Sequence, residues 1–363
     1  MAERSVQPEA NVPLAPLTTL GVGGSARWFV RAQTAGDVAD AHRWCEARRV
    51  PLVVLGGGSN IVVADRGIEA LVLRMAIGGV EFTARDGETV VTLGAGEAWD
   101  PVVETAVARG LAGLECLSGI PGSVGGTPIQ NVGAYGQEVS QSMADVTAFD
   151  RVSGALVTFD AEECGFGYRT SRFKHADAGR FVVCGVTLRL RAGSPTVVYP
   201  DLVEELQRRA IATPGLTDVR EAILSVRRRK GMVVDAADPD TRSVGSFFMN
   251  PVLSADAYGR LAAESAGTVP GFPQKAGGVK VPAAWLIERA GFARGYECGA
   301  VGLSSRHPLA LVNRGGATAR DVLRLAVQIK RRVVDRFGIG LVPEPVFAGF
   351  GEDEDVRYLL EKR

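Results

Sequence analysis

Residues 118–136, Ser118-Gly119-Ile120-Pro121-Gly122-Ser123-Val124-Gly125-Gly126-Thr127-Pro128-Ile129-Gln130-Asn131-Val132-Gly133-Ala134-Tyr135-Gly136, decide how the rest of this chain is read. These nineteen residues contain six glycines and two prolines, and a structureless loop of that length is uncommon inside a compact domain unless a ligand orders it. A second glycine run lies upstream, Gly56-Gly57-Gly58-Ser59-Asn60, directly after an apolar strand expected over 51–55. Backbone N–H groups with no Cβ in front of them are what close approach of a pyrophosphate requires. Taken alone, the upstream run fits a tight turn between strands equally well. It is not a dinucleotide fingerprint, because Ile61-Val62-Val63 continues as strand instead of opening a helix. Nor is it a Walker loop, since no Lys-Ser or Lys-Thr follows.

Around the loops the pattern is mixed. The spacing predicts helices over 38–49 and 101–109, the latter with Pro101 at its first position, and strands over 70–74, 89–93 and 181–190. Past residue 200 the character turns helical. Asp218 and Glu221 read as a capping box opening a helix through Lys230, and 282–290 reads as a helix stopped by Gly291. Thr318 opens a long helix on which Val322, Leu325, Ile329, Val333 and Phe337 form one apolar stripe before Gly338. The domain boundary is expected near residue 200, with a first domain over 1–200, in subdomains of about 1–67 and 68–200, and a second over 201–363.

The chain has 363 residues, 46% of them hydrophobic, enough to fill a core in each of two domains. Lys plus Arg and Asp plus Glu both number 41, so no net field draws the protein onto nucleic acid or an anionic membrane, and an anionic ligand needs a local site. The first fourteen residues carry Glu3, Arg4, Gln7 and Glu9 and no apolar block, from which a cytoplasmic protein without membrane insertion is expected. Cys45, Cys116, Cys164, Cys184 and Cys298 are odd in number and far apart, and His42, His175 and His307 are isolated, a pattern that predicts neither a disulfide framework nor a metal site.

The two glycine loops are followed in order by Phe166-Gly167-Tyr168-Arg169-Thr170-Ser171-Arg172-Phe173-Lys174, Gly245-Ser246-Phe247-Phe248-Met249-Asn250-Pro251, Ala283-Ala284-Trp285-Leu286-Ile287 and Pro343-Glu344. This ordered set, spanning about 14–348, resembles the UDP-N-acetylenolpyruvoylglucosamine reductases, whose FAD domain is of the vanillyl-alcohol-oxidase-like (PCMH) type. The resemblance implies an α+β fold in which a two-part FAD-binding domain is joined to a C-terminal α+β substrate-binding domain, with the C-terminal tail returning to the active site. It also implies an enzyme that uses NADPH and FAD to reduce the enolpyruvyl ether of a UDP-sugar during peptidoglycan precursor synthesis, with no obligate protein partner evident. Oxidases with this kind of FAD domain, the alternative reading, often tether flavin through a histidine near the first loop. None lies between His42 and His175, so the FAD is expected to be non-covalent.

By the same resemblance the cofactor residues are Gly56, Gly57, Gly58, Ser59, Asn60, Ile120, Pro121, Gly122, Ser123, Gly125, Gly126, Asn131, Gly133, Ala134 and Tyr135. Ser246 is the expected proton donor, with Arg169 and Glu344 where the substrate carboxylate and the adjacent carbon are activated. Tyr199 matches the tyrosine loop that one type of these reductases folds over the UDP-sugar, and Arg227, Lys230 and Asn250 match positions that hold diphosphate, carboxylate or nicotinamide phosphates. Residue by residue, plainer readings stay open: a turn serine, a surface arginine, a tail glutamate, and a basic helix end at 227–230. Val342 and Pro345 beside Glu344 depart from the family's pattern, as does Met249.

Overall fold

The computed structural model describes residues 6–274 and 277–361; Glu3 and Arg4 of the N-terminal stretch lie outside the described residues. The chain forms two compact units. The first comprises Met1–Val12, Ala26–Gly58 and Ile68–Val233, the second Pro13–Ser25, Ser59–Gly67 and Val234–Arg363. The division therefore comes at Val233, not near 200, and it does not follow a split at 67.

The first unit holds two sheets. One orders the strands Glu9–Pro13, Ser25–Ala32, Ile68–Met75 and Leu52–Leu55, with Ile68–Met75 parallel to both Ser25–Ala32 and Leu52–Leu55. The other is antiparallel and orders Ala155–Asp160, Met143–Asp150, Phe181–Ala192, Glu88–Gly94 and Val80–Arg85. Helix α1 (Ala35–Arg48) opens on a capping box between Thr34 and Asp37. Helix α2 (Trp99–Ala108) starts two residues before the expected point, so Pro101 sits third rather than first; it still lies in the first turn, where no intrahelical acceptor awaits an N–H. Val38, Ala41, Leu71, Leu73, Val91, Leu93, Trp99 and Val186 belong to the core joining the sheets and these helices.

Helices α3 (Pro200–Arg208) and α4 (Leu216–Arg229) also belong to this unit. Leu202, Leu206, Val219, Ala222 and Ile223 pack with Cys116, and that apolar cluster is why the unit extends past 200. The α4 cap differs from expectation. Asp218 is the third helical residue and its carboxylate accepts the N–H of Gly215 at 2.8 Å, so the helix begins before it.

In the second unit lie α5 (Ala255–Glu264), α6 (Ala283–Arg289), α7 (Ala319–Phe337) and α8 (Glu354–Leu360) with short sheets. Val322, Leu325, Ile329 and Val333 of α7 are buried, each worth about 1.5–3 kcal/mol of transfer free energy. Thr318 and Asp321 cap its start, and Gly338 ends it at φ 65°. Lys330, fully buried on the same helix, donates to the carbonyls of Tyr358, Leu359 and Glu361 at 2.7–2.8 Å and so caps the end of α8. The strand Ile61–Val63, which follows the first glycine run, pairs in parallel with Val346–Ala348, and Asp65 accepts the N–H groups of Ala319 and Arg320 at the start of α7. Among the described residues no helix is long and apolar enough to cross a membrane.

Candidate functional site

In the first unit the two glycine loops meet backbone to backbone. A Cβ on Gly57 would stand 2.4 Å from the Cα of Gly122, and one on Gly56 would stand 2.9 Å from the Ser123 Oγ. Only glycine permits that approach. Gly125 is fixed similarly, its Cβ position lying 2.7 Å from the Cβ of Ala95, whereas Gly126 faces open space. Ser123 is buried and its hydroxyl has no partner, which is costly unless a ligand answers it. These observations fit an anionic group laid against the loops. Ile120 and Pro121 of the same loop are half-buried.

The loop at 118–136 is ordered by its own bonds as well, contrary to the expectation that a ligand alone would order it. It contains a 3-10 turn at Val124–Gly126 and a two-residue strand, Gly133–Ala134, paired with Gln137–Glu138. At its start the Gly119 N–H donates to Asp100 at 2.6 Å, and Arg220 of α4 grips the same carboxylate through both Nη atoms at 2.7 and 3.0 Å. Burial works against that charge, yet Arg220 and the Gly119 N–H hold the Asp100 carboxyl below its usual value. Near its end Asn131 donates to Glu138 at 2.9 Å and to the Gly167 carbonyl at 3.1 Å.

Arg169 is drawn to the same place, its Nη2 donating to the Gly133 carbonyl at 2.6 Å. Ser171 donates to the Ile129 carbonyl at 2.6 Å, so the 166–174 motif wraps the loop. Among the described residues seven non-glycines have left-handed φ, and Asn131, Tyr135 and Arg169 are three of them, at 47°, 50° and 54°. Each costs about 1–2 kcal/mol, and such strain collects at ligand sites.

Tyr135 is the hub of the remaining polar groups in this unit. Tyr199, just before α3, meets it edge-on at 5.4 Å between ring centroids, and the Lys230 ammonium lies 5.8 Å from its ring centre while pairing with Asp201. Arg227 donates to the Met232 carbonyl at 2.7 Å, and its buried Nε–H has no partner. Burial pushes the Tyr135 phenol up to about 12, although Arg227 pulls the other way, and burial likewise lowers the Arg227 guanidinium. Tyr199, Arg227 and Lys230 therefore gather in the first unit beside Tyr135, whereas the boundary expected near 200 puts Arg227 and Lys230 in the second domain. Tyr199 remains 42% exposed.

The second unit builds a separate group. Ser246 follows Gly245, whose φ of 74° makes the turn, and precedes Phe247 and Phe248, both fully buried. Phe248 bridges Pro343, Met249 donates to the Val342 carbonyl at 2.9 Å, and the Glu344 N–H donates to the Phe247 carbonyl at 2.8 Å. The backbone thus sets Ser246 and Glu344 side by side from segments about a hundred residues apart. Asn60 joins them: its carbonyl accepts the Val346 N–H at 3.0 Å and its amide donates to the Glu344 carbonyl at 3.4 Å. Ser59 and Asn60 are thus grouped with the second unit, Gly56 to Gly58 with the first. The Asn250 side-chain Oδ1 accepts the N–H of Ala283 at the start of α6, which gives it a capping role. One residue beside the site carries no motif and was missed by sequence reasoning: Arg74, whose Nη1 donates to the Gly56 carbonyl. Among the described residues no group of three or more His, Cys, Asp or Glu could hold a metal ion.

Residues 238–348 match the family described as UDP-N-acetylenolpyruvoylglucosamine reductase, C-terminal domain, and residues 26–158 match an FAD binding domain. The chain is 49% identical over 348 residues to a UDP-N-acetylenolpyruvoylglucosamine reductase of Thermobifida fusca (strain YX), covering 93% of this chain and 97% of the relative. It is 44% identical over 353 residues to that of Streptomyces coelicolor, covering 95% and 91%. The crystal structure of a UDP-N-acetylenolpyruvylglucosamine reductase from Thermus caldophilus superposes with a TM-score of 0.61 at 29% identity, covering 94% of this chain and 99% of that one.

Proposed function

The chain belongs to the UDP-N-acetylenolpyruvoylglucosamine reductase family, and we propose on that premise how its own residues divide the work. It is an NADPH-dependent flavoenzyme that reduces the enolpyruvyl ether of UDP-N-acetylglucosamine enolpyruvate to UDP-N-acetylmuramate. FAD held here would supply the hydride chemistry, with NADPH as the reductant and the enolpyruvyl carbon as the acceptor. The glycine loops at 56–58 and 120–126 hold its diphosphate through backbone N–H groups, and the Ser123 hydroxyl, otherwise unanswered, donates to it.

Hydride addition leaves negative charge conjugated with the substrate carboxylate. Arg169, braced on Gly133, stabilises that charge. Ser246 gives the proton to the other carbon, and Glu344 orients the reacting group beside it. The observation that carries this assignment is the Glu344 N–H bond to the Phe247 carbonyl, which fixes the glutamate against the serine turn. Tyr199 and Arg227 with Lys230 bind the UDP-sugar diphosphate, as in the tyrosine-loop type, and Asn250 turns its amide nitrogen to the ligand while its oxygen stays on α6. The protein works in the cytoplasm, where its nucleotide substrates are made.

Stopped-flow kinetics of Ser246→Ala tests the assignment. Reduction of the flavin by NADPH stays near wild type, while reoxidation by the enolpyruvyl sugar slows by roughly 10²–10⁴-fold, the usual worth of a general acid. Equal slowing of both steps would give Ser246 a structural role instead.

A further inference from the structure

Arg74 lies near the end of the strand Ile68–Met75, in register with Leu55 on one side and Arg31 on the other, so two guanidiniums share one row of the sheet. Arg74 is half-buried and reaches the carbonyl of Gly56, where the first glycine loop begins. Arg31 leans on the ring of Phe29 at 5.6 Å. Among the described residues no carboxylate pairs with either arginine. A partly buried cation with a second cation beside it and no acid to answer it is unfavourable in an isolated chain. Burial and Arg31 both lower the Arg74 guanidinium from its ordinary value, which is the electrostatic trace of that cost.

Two further features at this point suit an anion. The unpartnered Ser123 hydroxyl stands 2.9 Å from the Cβ position of Gly56, and Gly57 lies against Gly122. A guanidinium has five donors, and one of them is spent on the Gly56 carbonyl.

We propose that Arg74 is the countercharge for the diphosphate of the cofactor, fixing the Gly56 carbonyl with one donor and offering the rest to a phosphate oxygen. This rests on the FAD reading above. Backbone N–H groups alone supply dipoles, whereas a guanidinium adds a full charge and a planar fork suited to phosphate.

The test is titration of the apoprotein with FAD and with riboflavin, which keeps the ring system and lacks the phosphates, followed by flavin fluorescence. Arg74→Gln raises the Kd for FAD by about 10- to 100-fold, the worth of one hydrogen bond to a charged group, and leaves the riboflavin Kd within about threefold. Arg74→Lys, which keeps the charge, recovers most of the FAD affinity. An unchanged FAD Kd in Arg74→Gln overturns the proposal, and so does an equal loss for riboflavin, which would make Arg74 a support of the Gly56 turn only. Should Arg74→Gln fail to fold, the wild-type protein decides, since added salt must weaken FAD binding more than riboflavin binding, and equal sensitivity overturns the proposal. Wild-type apoprotein that takes up no FAD at all would instead defeat the cofactor reading itself.

Discussion

Tyr199 shows how one side chain can be placed by its neighbours and still be left for a ligand. Its ring is held edge-on against Tyr135, and Thr196 just before it is tied to the buried Glu115 carboxylate through a 2.7 Å bond from its N–H. Between Thr196 and α3, Val197 packs on the apolar cluster of α3 and α4. Replacing Tyr199 with Phe keeps the ring contact and removes the hydroxyl. UDP-sugar binding then weakens by about 0.5–1.5 kcal/mol, or more if the partner is charged, while flavin content and NADPH oxidation hardly change. Isothermal titration with the UDP-sugar measures it, and unchanged affinity would return Tyr199 to a packing role. At this scale residue type and motif order together single out Ser246 and Arg169, whose roles are those proposed above. Arg74 escaped notice because an arginine inside a strand carries no local signal. Its meaning comes from Leu55 and Arg31, its neighbours across the sheet.

Elements were legible where their own side chains close their ends. Helix α7 was expected to start at Thr318 and stop at Gly338, and it does, because the capping box and the left-handed glycine are local chemistry. Asp218 misled for an equally local reason: an acidic residue serves at the cap or at the third position, and here it reaches back to Gly215. The α3–α4 pair is joined by Glu205, buried and held by Arg208 at 2.7 Å, Arg209 at 2.8 Å and Arg229 of α4 at 2.6 Å. Burial opposes its charge, but the three arginines keep its carboxyl far below the usual range. The folded form therefore holds its proton less tightly than the unfolded chain, whose glutamates titrate near about 4.3. The stability Glu205 contributes is complete above that value and is lost as the pH falls below it toward the depressed folded value. Urea unfolding at neutral pH and at about pH 4 checks this: Glu205→Gln is less stable than wild type at neutral pH by about 1–3 kcal/mol and loses less on acidification. The same acid loss in both proteins would contradict it.

The division of the whole molecule was the least legible feature. Residues 13–25 and 59–67 join the second unit because Ile61–Val63 pairs with Val346–Ala348 and Asp65 caps α7, contacts across more than 250 positions that no local periodicity announces. The same pairing brings the tail with Glu344 beside Asn60, so the end of the first glycine run and the reaction group share one unit. The α+β class and the family were readable because the motifs keep their order along the chain, which does not depend on knowing how the units divide. The central claim is that this chain reduces an enolpyruvyl UDP-sugar through bound FAD at the expense of NADPH. It is tested most directly by anaerobic turnover of the purified protein with NADPH and UDP-N-acetylglucosamine enolpyruvate. A yellow protein, its FAD released intact on denaturation, that oxidises NADPH one for one with the UDP-N-acetylmuramate formed is the result expected. Protein that takes up no FAD, or that oxidises NADPH only when oxygen is admitted and leaves the sugar unreduced, would contradict it.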